Sequence, residues 1–154
     1  MRVGLGGDFQ RLKRALDVRM SPVLSGITMA VIAEIENKLT PYPPSSEANR
    51  PGGPGSRWYE RGYGSRWLTM RGQMRGRKTS QMLGRKWQKQ RRGRIGAVLG
   101  SPVTYAPYVH HDERQARFHG QRGWVTDKKA VEYVVRSGKV DRIVRQAMTR
   151  SFGR

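Results

Sequence analysis

Residues 79–124, TSQMLGRKWQKQRRGRIGAVLGSPVTYAPYVHHDERQARFHGQRGW, decide the fold, because strand patterns, a tight turn and an aromatic segment follow one another there without a linker. From Thr79 the side chains alternate as a strand requires, Leu83, Arg85, Trp87 and Lys89 pointing one way and Met82, Lys86 and Gln88 the other. Arg91, Arg92 and Gly93 supply a turn, after which Ile95, Ala97 and Leu99 face one side and Arg94 and Val98 the other, completing an antiparallel hairpin. Gly100, Ser101 and Pro102 end it. Residues 104–109, TYAPYV, read as one turn of helix or a tight corner, with Pro107 preset for a turn and Tyr105, Tyr108 and Val109 as an aromatic-aliphatic plug. Residues 115–119 read as a third short strand and 120–123 as a turn, with Trp124 anchoring the C-terminal segment; Tyr105, Pro107, Tyr108 and Trp124 are the expected fold anchors.

Outward from this unit the pattern is helical. Asp8 can cap a short helix with Phe9, Leu12 and Leu16 on one face and Arg11, Lys13 and Arg14 mostly on the other, stopping near Arg19 or Met20. Ser21 and Pro22 form a start signal for a second helix, in which Leu24, Ile27, Val31, Ile35 and Leu39 make a stripe and Thr40 and Pro41 the end. On the C-terminal side, residues 125–136 read as a helix capped by Thr126 or Asp127, with Ala130, Val131, Val134 and Val135 inward. Ser137 and Gly138 interrupt it, and Val140, Ile143, Val144, Ala147 and Met148 mark a final amphipathic helix that frays over 151–154. The expected fold is a single α+β domain: N-terminal helices and a C-terminal helix packed on a small antiparallel sheet.

Residues 41–78 are dense in Pro, Gly, Ser and Arg and carry no sustained period, so they read as a long extended loop or arm. The tetrapeptide GSRW occurs in it twice, at 55–58 and 64–67, with Tyr59 and Tyr63 between. Trp58, Tyr59, Tyr63 and Trp67 are therefore the candidate interface, in an arm that orders on a neighbouring subunit, a flap over the chain's own sheet, or a platform for stacking nucleic-acid bases.

The 31 Lys and Arg against 11 Asp and Glu give a net charge of +20. Such a charge opposes self-association unless something acidic compensates it: nucleic acid, an anionic membrane or an acidic protein surface. The run over 71–94, with Arg71, Arg75, Arg77, Lys78, Arg91, Arg92 and Arg94 as its basic surface, is suited to tracking a phosphate backbone or to protecting a sheet edge. The chain has no cysteine, which excludes disulfides and thiolate metal sites. The longest apolar-rich stretch, 22–35, reads as too short to span a bilayer and carries Glu34, so no membrane partner is expected.

No catalytic, cofactor or metal site is expected. His110, His111 and Asp112, with His119 nearby, read as solvent-facing or interface loop residues; a nuclease using them would need His119 close to His110 or His111. No phosphate-loop pattern is present and no pair of carboxylates is forced together.

The order of SQMLGR at 80–85, IGAVLGS at 95–101 and YAPYV at 105–109 resembles the tail-completion or neck proteins of long-tailed bacteriophages, the family related to the minor tail protein Z of phage lambda. RWYERGYG at 57–64, QARFH at 115–119 and RGW at 122–124 look like a subgroup of it; the chain departs from the usual pattern at His110, His111 and Asp112, where many members carry an acidic residue and then FGT. The resemblance implies a non-enzymatic α+β subunit of the virion, made in the host cytoplasm and placed in a homo-oligomeric ring between portal or connector and tail tube or tail terminator. Six copies would match the symmetry of a tail tube and twelve that of a portal. Basic residues would there face the passing DNA or acidic neighbours. The alternative is a free nucleic-acid-binding protein that uses the 71–94 run and the aromatic arm.

Overall fold

Helix α1, Gly6–Leu39, is the spine against which the C-terminal helices and the hairpin pack. The computed structural model describes the backbone of residues 6–44, 46–47, 50, 52–60, 63–79 and 81–153, and their side chains except those of 6–16 and Tyr59. The two helices expected before residue 40 are one, and Pro22 sits inside it. Proline removes one backbone donor and crowds the preceding turn, but the turns on both sides keep their own bonds and the stretch beyond Pro22 is held by packing. The facial assignments of Phe9, Leu12 and Leu16 lie outside the described side chains. Among the described side chains of α1 the buried positions are Ser25, Ile32 and Leu39, seven residues apart, while Leu24 of the expected stripe is 39% exposed.

After α1 the chain forms β1 (Arg57–Glu60), β2 (Gly64–Leu68) and β3 (Met74–Arg75), an antiparallel meander in the order β1-β2-β3. This corrects the expectation that 41–78 is an irregular arm. The two GSRW copies pair with each other, Arg57 opposite Trp67 and Trp58 opposite Arg66, so the repeat is the two halves of a hairpin. Trp and Tyr suit the pleated surface, and cross-strand Arg–aromatic pairs give it the stability that periodicity alone did not announce. At Gly76 (φ 132°) a Cβ would meet the Ser65 carbonyl oxygen at 2.7 Å, so only glycine permits this approach to β2.

A one-turn helix α2 (Met82–Arg85) follows where a strand was expected, and the hairpin proper is β4 (Gln88–Arg92) with β5 (Gly96–Gly100). Arg92 pairs with Gly96, leaving a loop of residues 93–95 opened by Gly93 at φ 64°, which corrects the turn expected at 91–93: Arg91 and Arg92 belong to β4, and Ile95 lies exposed in the loop rather than in the second strand. Ala97 and Leu99 lie on the more covered face and Val98 on the exposed one, as the alternation predicts. Then come α3 (Ala106–His110), α4 (Arg117–Gln121), α5 (Asp127–Arg136) and α6 (Lys139–Phe152). The expected strand over 115–119 is instead α4: the Ala116 carbonyl accepts from the His119 and Gly120 amides, which closes a helical turn. Of the two expected caps it is Thr126 that caps α5, accepting from the Lys129 amide. Ala130 and Val134 face inward, but Val131 and Val135 are exposed. Helix α6 continues to Phe152 rather than fraying at 151.

The result is an α+β fold with helices on a small antiparallel hairpin and a separate meander. Helix α6 runs antiparallel to α1: Lys139 at its start binds Glu34, and Arg150 and Ser151 at its end border the same groove as Pro22 and Val23. Glu36 of α1 binds Lys89 of β4, tying the hairpin to the spine. A second apolar cluster, Leu83, Val103, Ala106, Val109 and Trp124 with Tyr42 packed against it, joins the segment after α1 to α2, α3 and the approach to α5. Tyr105 and Tyr108 are 48% and 60% exposed, which corrects their assignment as a plug: residues 106 and 109 occupy the inward face of α3, and the tyrosines flank it.

Candidate functional site

The aromatic residues of the meander are partly satisfied within the chain. Trp58 is only 8% exposed, so its assignment as an interface contact is corrected. Trp67 is half-buried, with the Arg57 guanidinium 5.2 Å from its ring. Tyr63 is half-buried beneath Arg66 at 4.3 Å, and Arg66 also lies 3.6 Å from the Glu60 carboxylate. The side chain of Tyr59 lies outside the described residues. The Arg122 guanidinium donates to the Arg57 carbonyl, linking the meander to the segment after α4.

The basic run falls on several elements. Arg71, Arg75, Arg77 and Lys78 are exposed on the second half of the meander, and Arg91, Arg92 and Arg94 are exposed at the hairpin tip. Helix α2, which ends in exposed Arg85 and is capped by exposed Lys86, interrupts the run in the chain, so it is not one strand face as the sequence suggested.

The histidines are placed differently from expectation. His110 is 3% exposed, not in a polar loop. Its Nδ1–H donates to the Val125 carbonyl at 2.7 Å, and its ring meets Trp87 and Trp124 edge-on at 5.5 and 5.4 Å. Burial pushes its pKa below the ordinary 6.5, against the opposing effects of that carbonyl and of Asp127. His119 lies 4.1 Å from Phe118 and 6.1 Å from Trp124, ring to ring. Burial first, then the neighbouring His110 and Arg122, lower its pKa to about 4. His111 accepts from the Glu113 amide at 3.2 Å, and Asp112 accepts from the Thr126 hydroxyl at 3.2 Å and lies 3.5 Å from Lys128. His110 and His119 are thus neighbours, as a nuclease would need, with the His110 ring packed edge-on against two indoles and bonded to the Val125 carbonyl. Among the described residues no group of three or more His, Asp or Glu could hold a metal ion.

The two rings make stability depend on pH. Between the unfolded value of 6.5 and the folded value of about 4 for His119, the unfolded chain binds more protons than the folded one. The stability is therefore fully present above the unfolded value and is lost as pH falls through that window. Thermal unfolding followed from about pH 7.5 to about pH 5, largely above the range of ordinary carboxylates, should give a falling Tm that flattens in H119Q. A Tm constant or rising over this range in the wild type would contradict the burial of these rings as neutral species.

Sequence reasoning missed three features. Gln115 donates to the Val109 carbonyl at 2.7 Å and the Trp124 carbonyl at 2.9 Å, clamping α3 to the segment before α5. A cavity of about 370 Å³ opens between α1, β5, α3 and α5, lined by apolar residues that include Ile32, Ile35, Leu39, Leu99, Ala106 and Val131. Finally, because α1 is continuous, Asp17–Leu39 is a 23-residue helical stretch holding an 18-residue window of mean hydropathy 1.4, long and apolar enough by length and composition to cross a membrane, which corrects the shorter span read from sequence. In this fold that stretch packs against α5, α6 and the hairpin, and its Glu34 and Glu36 are ion-paired. No known protein family, curated protein or solved structure matches the chain.

Proposed function

We propose that the chain is a structural subunit acting by binding alone, in a ring at the junction between the portal or connector and the tail tube of a long-tailed bacteriophage. The observation that supports assembly is exposed apolar surface: among the described residues Val18, Met70, Ile95, Tyr108, Val135 and Phe152 are large apolar side chains left open to water, and such surface marks sites of association. The place in the virion rests on the motif order over 80–85, 95–101 and 105–109, and the exposed arginines would face DNA or acidic neighbours there.

Sedimentation velocity of the full chain, alone and with portal rings and tail tubes of the phage that encodes it, tests this reading. Self-assembly and co-sedimentation with one of the two are expected. A chain that stays monomeric and joins neither overturns it. Should that monomer instead bind duplex DNA with an affinity that falls steeply with salt, the rival reading as a free nucleic-acid-binding protein takes its place.

A further inference from the structure

We propose that copies of this chain join head to tail, with Met70 of one copy entering the cavity between α1, β5, α3 and α5 of the next. The inference rests on the ring reading and names the contact that would build the ring.

Met70 is 87% exposed, although it is a large apolar side chain. It is carried on a built turn between β2 and β3: the Thr69 amide donates to the Gln73 carbonyl and the Gly72 amide to the Thr69 carbonyl, both at 2.9 Å, and the Gln73 amide donates to the Thr69 hydroxyl at 3.1 Å. A turn held this way presents its tip with little ordering left to lose on binding. Methionine is unbranched and adapts to irregular apolar gaps. The receiving cavity, about 370 Å³, is predominantly apolar and at the small end of ligand clefts, which span about 300–1,000 Å³.

Charge selects a second copy as the occupant. No Asp or Glu occurs between Glu60 and Asp112, so the turn arrives with Arg71, Arg75, Arg77 and Lys78 and no carboxylate of that stretch. The cavity borders a concavity that shares His111, Asp127 and Val131 with it and adds Asp112, Glu113 and Glu132. Four of the chain's 11 acidic residues meet there against one ammonium, that of Lys128, in a protein of charge +20. A basic tip with an apolar knob thus matches an apolar hole with an acidic rim. This pairing also explains how so cationic a chain can associate with itself: each contact sets the basic surface of one copy on the acidic surface of another. Knob and hole are different surfaces, so the contact is heterologous and propagates to a ring when its rotation closes.

Sedimentation velocity on the full chain tests the contact, with circular dichroism confirming that each variant is folded. Met70→Asp changes an exposed side chain and should weaken association about tenfold or more. R71E/R75E and E113R/E132R should each weaken it, and the four changes together should restore it, because the charges are then exchanged across the same contact. An M70D chain that assembles like wild type, or a quadruple variant no better than either pair, overturns the contact while leaving the ring reading in place. A wild-type chain that remains monomeric removes both.

Discussion

Replacing Trp124 by Ala is expected to cost about 3–5 kcal/mol and to lower Tm by about 10 °C or more. Trp124 is 6% exposed and belongs to the cluster with Leu83, Val103, Ala106 and Val109. Its ring meets Tyr42 at 5.1 Å, His110 at 5.4 Å and His119 at 6.1 Å, so one indole supports the segment after α1, helix α3 and helix α4 together. Removing it leaves a void lined by side chains from three elements that cannot all collapse into it. His110 then gains access to water, and its pKa should move up toward 6.5 as the burial that depresses it is relieved. Chemical denaturation gives the first quantity, and NMR titration of the histidine ring protons the second. Trp124→Phe keeps an aromatic ring in place and should lose less of both. A W124A chain within about 1 kcal/mol of wild type would mean that this cluster is not the anchor of the C-terminal half.

Of this cluster Val109 and Trp124 were legible in the sequence, and elsewhere the reasons differ by element. The presence of the β4–β5 hairpin, a turn of helix as one reading at Ala106, Thr126 as one of two caps and the Gly138 break (φ 69°) follow from local chemistry, whereas the position of the hairpin turn does not. Trp124 was recognisable because a large indole in a polar stretch must find cover. Continuity through Pro22 was not legible, since the local rule favours a start there and only packing on α5, α6 and the hairpin overrides it. Nor was the meander: its stabilising pairs join Arg57 to Trp67 and Trp58 to Arg66, contacts across strands that composition hides beneath Gly and Pro. The same holds for His110, whose place between Trp87 and Trp124 depends on residues far apart in sequence. The acidic rim is visible in sequence only as two separated pairs, Asp112 with Glu113 and Asp127 with Glu132, until the turn after α3 and the start of α5 come together through the Asp112 amide, which donates to the Asp127 carboxylate at 3.0 Å.

Val134→Asp should be the most damaging single change, costing on the order of 4 kcal/mol or more. Val134 is 1% exposed and Ala130, one turn earlier, is 0% exposed; together they form the inward row of α5, which packs on α1. A carboxylate there must either lose its hydration without an assigned cation or push α5 off the spine, and the second is the cheaper response. Helix α6 follows through the two-residue break at Ser137 and Gly138, and its contact with α1 through Lys139 and Glu34 is held in register by α5. Val131, a wall of the cavity proposed to receive Met70, moves with the same helix. V134D should therefore lose assembly along with stability, whereas M70D should lose assembly and keep its Tm. Measuring both quantities on both variants separates the roles. If V134D keeps a wild-type Tm, the packing of α5 on α1 is not what closes the fold; if M70D falls in Tm as far as V134D does, Met70 serves its own chain rather than the next.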